Sequence, residues 1–179
     1  MVVPVVLYGS SVLRSQTSEV RGEDNILWLK DMLTDTLMGS EGIGLAAPQV
    51  NILKRAFAID TTPMITRDIT IEKFTGIFFN PEILEFSDDI IEYREGCLSL
   101  PEIYENVDRP EKILVRYHDE NLITHEEEFY GIKARVFQHE FDHLEGILFI
   151  DRIHFLRRKL LYSKLNNIKR LQKKQKFKQ

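Results

Sequence analysis

The run His139-Glu140-Phe141-Asp142-His143 holds the residues best suited to chemistry. On a helix of about 3.6 residues per turn, His139 and His143 lie one turn apart on the same face. Two imidazoles so placed can grip one metal ion, and Glu140 between them can reach a water beside it. The plain alternative is an amphipathic helix with two surface histidines, which the run alone does not exclude. A catalytic metal needs a third protein ligand and an open position for water. The lone cysteine, Cys97, is a candidate: Gly96 before it and the polar turn from Ser99 to Pro101 after it predict an exposed strand end. A free cysteine is most often a small buried hydrophobe, but beside a helical His-Glu-x-x-His the ligand role is the better reading. A third stretch, EGIGLAAPQV at residues 41–50, sets glycines on both sides of Ile43. Such spacing lets backbone approach a ligand or another strand closely, or else forms a tight loop packed on the core.

These residues need elements to hold them. Ile132, Val136, Phe137, Phe141 and Leu144 recur at helical intervals between Gly131 and Gly146, which predicts a helix around the histidines. An earlier helix is expected from about Asn25, with Ile26, Leu29, Leu33 and Leu37 on one face and Gly39-Ser40 at its end. Strands are expected over 53–60, 76–80 (closed by Pro81, with 83–86 continuing) and 90–94. Segments 112–118 and 123–129 read as a hairpin around Asp119-Glu120-Asn121, whose His118 and His125 read as solvated strand residues. Val2–Tyr8, with Pro4 inside it, is at best an edge strand or extended arm. Residues 61–74 read as a polar surface insertion, and 147–153 as a short extended link. A last helix should run from about Phe155 towards Lys174, with Leu156, Leu160, Leu161, Leu165, Ile168 and Leu171 as its stripe. The order of elements predicts an α+β fold: largely antiparallel sheets around a central helix that carries the histidines, and a C-terminal helix.

The chain has 179 residues, 43% of them hydrophobic and 29% charged, which suits one domain with a sizeable core. No apolar run approaches the roughly 20 residues that span a bilayer, and the N-terminus carries no signal-peptide pattern. A single cysteine suits a reducing cytosol. The net charge of −4 conceals an asymmetry: 11 Lys and Arg and no acid from Arg152 onward, against 13 basic and 28 acidic residues before it. An acidic body with a basic tail faces two kinds of surroundings.

GIGLAAPQ (42–49), EGCLS (95–99) and QHEFDH (138–143), in this order, resemble the three motifs of the bacterial, type 1-like peptide deformylases. The resemblance covers most of residues 1–155. It implies a catalytic domain over 1–154, with 155–179 as a basic amphipathic appendage of the same domain. It implies a hydrolase of linear amides that removes formyl from the N-terminal formyl-methionine of new proteins and releases formate. Cys97, His139 and His143 would hold one divalent metal: ferrous iron by resemblance, with zinc, nickel or cobalt as substitutes. Glu140 would take a proton from the activated water and pass it to the leaving amine. The Gln49 side-chain amide and the Leu98 backbone N–H would serve the oxyanion.

The same resemblance makes Glu95 and Arg109 an ion pair behind the ligands, and Asp142 a residue that orients a neighbour. Ile43, Gly44 and Gly96 would pair with an extended peptide, and Ile43, Val136 and His139 would form an apolar pocket for methionine. The implied location is the cytoplasm and the implied partner the nascent chain, with no DNA. The basic tail would either pack and solvate or dock on ribosomal RNA; contact with an anionic membrane is a weaker alternative. Two other functions are compatible with parts of the pattern. A metallopeptidase would use the same helix, but its third ligand is usually a carboxylate. A non-catalytic metal or ribosome-associated module would need neither Glu140 nor Gln49.

Overall fold

The computed structural model describes residues 1–65 and 71–176. Helix α1 (Ile26–Met38) begins where the Asn25 side chain accepts the Trp28 N–H, and it stops at Gly39. Among the described residues seven strands follow: β1 (Gly44–Ala46), β2 (Ala56–Asp60), β3 (Thr75–Phe86), β4 (Ile90–Gly96), β5 (Tyr104–Pro110), β6 (Lys112–His118) and β7 (Thr124–Tyr130). Five of them form one antiparallel sheet in the order β1-β2-β3-β6-β7, and β4 and β5 make a separate two-stranded ribbon. The fold is therefore α+β and largely antiparallel.

The sheet is buried on both faces at its centre. Ala56, Ala58, Ile77 and Phe79 pack with Leu29, Met32 and Leu33 of α1 on one side. Phe57, Ile59 and Phe78 point to the other side, towards Phe129 of β7 and Phe137 of helix α3 (Gly131–Leu144). The alternation follows from the two-residue period of a strand, and burial on both faces makes β2 almost wholly apolar. Edge-to-face contacts join Phe137 to Phe57, Phe78 and Phe129 at ring centroid distances of 5.0, 5.2 and 5.4 Å. This cluster fixes α3 against the sheet, and so fixes where its histidines stand.

Several expectations are corrected. The strand expected from residue 53 starts at Ala56, because the backbone at Leu53 and Arg55 bonds Ser18 instead. β3 continues through Pro81 as one strand, with left-handed Asn80 (φ 48°) and a register shift between Phe79 and Glu82 absorbing the proline. β5 was not foreseen: its inward positions are Glu105, Val107 and Arg109, so its alternation is invisible to hydrophobicity. The link over 147–153 contains a 3₁₀ turn (Phe149–Asp151), and its Leu148, Phe149 and Ile150 are all buried. The insertion at 61–74 is not wholly superficial, since Thr61 is buried and Phe74 joins the aromatic cluster. It opens with the short helix α2 (Thr62–Ile65), and residues 66–70 lie outside the described residues.

The last helix is two: α4 (Phe155–Leu160) and α5 (Tyr162–Lys176), divided at Leu161. Its stripe also differs. Leu161, Leu165, Ile168 and Gln172 are buried, whereas Leu156, Leu160 and Leu171 are 54%, 74% and 50% exposed. The N-terminal stretch is an extended arm rather than a strand. Its Val6 and Tyr8 N–H groups donate to the carbonyls of Gln49 (2.7 Å) and Ser99 (2.8 Å), and Leu7 N–H donates to Gln172 Oε1. The arm therefore joins two loops near Cys97 to α5.

Candidate metal centre

α3 puts His139 and His143 on the face turned to the end of β4, where Cys97 follows Gly96. Cys97 Sγ lies 3.3 Å from His143 Nε2, and the three ligand atoms of Cys97, His139 and His143 fall within 4.8 Å of one another. A cysteine sulfur and two imidazoles gathered so closely match the donor set that zinc, ferrous iron or a related divalent cation prefers. Two buried side-chain atoms, Glu140 Oε2 and His143 Nδ1, have no partner among the described residues. An unpartnered buried atom costs about 1–3 kcal/mol, so a free Glu140 oxygen beside these donors fits a group that acts on water held there. Burial raises the Glu140 carboxyl to about 7, the range suited to accepting and returning a proton near neutrality.

Glu95 organises the surroundings of His139. Arg109 grips it with two donors, Nε to Oε1 at 2.6 Å and an NH2 bond to Oε2 at 2.9 Å. Arg135 adds a third, to Oε1 at 3.0 Å. Burial opposes ionisation of Glu95, but the bonds from Arg109 and His139 outweigh it and hold the carboxyl well below its usual range. The ionised Oε2 stands 2.8 Å from His139 Nδ1, so a proton is held on Nδ1, and Nε2 is the nitrogen that would give up its own proton to bind a metal. Burial pulls His139 down, yet Cys97 and Glu95 raise it well above the ordinary imidazole value; burial leaves His143 well below it. Arg109 also donates to Asp142 at 2.7 Å, and Arg152 closes the chain on the same carboxylate.

Gln49 and Gly44 reach the same place. Gln49 Oε1 accepts the Ala46 N–H at 2.7 Å, which turns Nε2 towards Cys97 Sγ (3.5 Å) and Ser99 Oγ (3.3 Å). Gly44 lies against Glu140: a Cβ there would stand 2.3 Å from Oε1. At Gly96 a Cβ would meet the Tyr104 ring at 2.6 Å, and the Leu98 side chain fills the space over Gly42. Val136 is buried in the aromatic cluster, with Ile43 at its margin. His118 and His125 stand apart from the ligand group, paired with Asn80 and Asp119. Sequence reasoning missed Arg135, Ser99 and Arg152. Only position could have flagged Arg135, which lies one helical turn before His139.

The sequence pattern described as polypeptide deformylase matches residues 2–159. The chain belongs to the peptide deformylase family. It is a hydrolase that removes the formyl group from N-terminal formyl-methionine. A peptide deformylase of Salinibacter ruber is 42% identical over 166 residues, covering 90% of this chain and 85% of the relative. One from Christiangramia forsetii is 39% identical over 176 residues, covering 94% and 90%. A solved class I type b peptide deformylase from Acinetobacter baumannii, described as Met-ala-ser bound, superposes with a TM-score of 0.80 at 38% identity. That superposition covers 86% of this chain and 99% of the other. The Plasmodium falciparum peptide deformylase gives a TM-score of 0.85 at 38% identity, covering 94% and 96%.

Proposed function

We propose that Cys97, His139 and His143 hold one divalent metal and that Glu140, Gln49 and Leu98 carry out deformylation beside it. The carrying observation is the convergence of one thiol and two imidazoles within 4.8 Å, next to a buried carboxyl with an unpartnered oxygen. A metal held there supplies Lewis-acid chemistry, lowering the pKa of water and polarising the formyl carbonyl. Glu140 takes a proton from the water that adds to the formyl carbon. As the C–N bond breaks, the same carboxyl returns the proton to the leaving nitrogen, and formate and a free amine depart. Gln49 Nε2, held by its own Oε1 bond to Ala46, and the Leu98 N–H donate to the oxyanion. Glu95 and Arg109 keep His139 in its metal-binding tautomer.

The peptide adds as a strand along Ile43, Gly44 and Gly96, with methionine in an apolar pocket of Ile43, Val136 and His139. The outer position of β1 in its sheet and the bound Met-ala-ser of the Acinetobacter relative support this. Family likeness favours ferrous iron, with zinc, nickel or cobalt as substitutes. The enzyme works in the cytoplasm on nascent chains; among the described residues no helix is long and apolar enough to cross a membrane. Residues 155–179 are an appendage of the catalytic domain 1–154, and their cations dock on ribosomal RNA. Equal ribosome association at low salt by a chain ending at Lys164 overturns that docking.

Anaerobic turnover of formyl-Met-Ala-Ser by the metal-loaded protein, read as formate, tests the site. Glu140→Ala should lower the rate by about 10²–10⁴ with metal retained, and Cys97→Ala should remove metal and activity together. No formate from protein carrying one divalent metal, or a fully active Glu140→Ala, overturns it.

A further inference from the structure

We propose that Arg135 is a positioning residue that presets the separation between the helix ligands and Cys97, and with it the metal affinity. The inference rests on the metal centre proposed above. Cys97 follows the β4–β5 ribbon and the two histidines lie on α3; among the described residues the nearest backbone bond between these elements is at the far end of the ribbon, from the Gly131 N–H to the Glu111 carbonyl (3.1 Å). Their spacing therefore depends on side chains that bridge the two. Arg135 is such a bridge, with a side chain only 8% exposed. Its NH1 donates to Glu95 Oε1 at 3.0 Å and to the Val107 carbonyl at 2.9 Å, and its NH2 donates to the Ile91 carbonyl. Ile91 is in β4 and Val107 in β5, so one guanidinium ties the helix to both strands and to a carboxylate.

The placement of these bonds matters as much as their number. Glu95 is two residues before Cys97, and Arg135 is one helical turn before His139. The Arg135–Glu95 bond thus joins the neighbours of ligands on both elements. Arg109 makes the reciprocal clasp, running from β5 to Glu95 and, beyond His139, to Asp142. His139 sits between the two clasps along α3. Lysine cannot replace Arg135, because one ammonium group cannot serve acceptors lying in three directions as a planar fork does. Loss of a group that orients metal ligands commonly weakens affinity by about 10–100-fold.

The test is the Co²⁺ dissociation constant, from chelator competition, together with the thiolate-to-cobalt absorption band. Wild type, Arg135→Met, Arg135→Lys and Cys97→Ser are compared well below their unfolding temperatures, with folding checked by circular dichroism. Arg135→Met should bind Co²⁺ about 10–100-fold more weakly and shift the band, and Arg135→Lys should recover little of the loss. A purely structural Arg135 would lower the melting temperature and leave the folded protein's affinity and band unchanged. Affinity within about threefold of wild type in either folded variant overturns the proposal while the metal centre stands. Should Arg135→Met not fold, Arg135→Lys gives the same reading. Unaltered Co²⁺ binding by Cys97→Ser would instead overturn the metal centre itself, and the Arg135 proposal with it.

Discussion

α3 and the α4–α5 pair are both amphipathic and both bury apolar residues, yet they differ in the polar ones that they bury beside them. α3 turns Arg135, Gln138, His139, Glu140, Asp142 and His143 inward, and nearly every polar atom there has a partner. α5 buries Leu165, Ile168 and one polar residue, Gln172, which holds the N-terminal arm. The cations of α4 stay near the surface: Arg157 meets Glu105, and Arg158 meets Asp151. Burying charge is costly unless every group is matched, so it is found where chemistry needs a dry, oriented set of groups. The C-terminal pair needs only adhesion, which a few leucines supply.

That contrast predicts a ranking. Glu95→Gln should be the most damaging to stability, by about 3–5 kcal/mol in denaturant melts, because it leaves Arg135 buried without its counter-charge and Arg109 with Asp142 alone, which Arg152 shares. Its pH dependence has a definite sign. The folded carboxyl is held well below its usual range, so its contribution is complete above that range and is lost as pH falls through the lower folded value. The wild-type advantage over Glu95→Gln should therefore be flat near neutrality and shrink only in acid. A penalty under 1 kcal/mol at pH 7, order-of-magnitude, would show that the buried network matters no more than a surface pair.

Leu165→Ala comes next, at about 2–5 kcal/mol, with metal affinity unchanged; a loss of metal would mean that α5 and the centre are not separable. Gly44→Ala sharpens the comparison from the other side. Its Cβ must displace the Glu140 carboxylate, and a shift near 1 Å should lower turnover by about 10² with little change in melting. Leu160→Ser, at 74% exposure, should change stability by less than about 0.5 kcal/mol. A larger cost would mean that the exposed leucines of α4 are covered in solution.

Much of this was legible before any coordinates. The spacing of His139, Glu140 and His143 needs only helical geometry to bring them onto one face, and Gly131 and Gly146 bound that helix. The hairpin of β6 and β7 follows from alternation and from Asp119, whose side chain accepts the Asn121 and Ile123 N–H groups in the turn. β5 escaped detection because two of its three inward residues are charged: Arg109 grips Glu95 behind His139, and Glu105 pairs with Arg157 of α4. Of the stripe expected at the C-terminus, Leu161, Leu165 and Ile168 face the body, whereas Leu156, Leu160 and Leu171 do not. Leucines there outnumber what the body can cover, and only contact with Leu100, Ile103 and Phe149 selects among them.

The types and order of the reacting groups can be read along the chain, since local periodicity and motif spacing need no packing. The sharing of Glu95 among Arg109, Arg135 and His139, and the place of Gly44 against Glu140, arise only when the elements pack. Those contacts join residues from separate elements. Their geometry is set by how the sheet, the ribbon and α3 pack, and no local signal carries that.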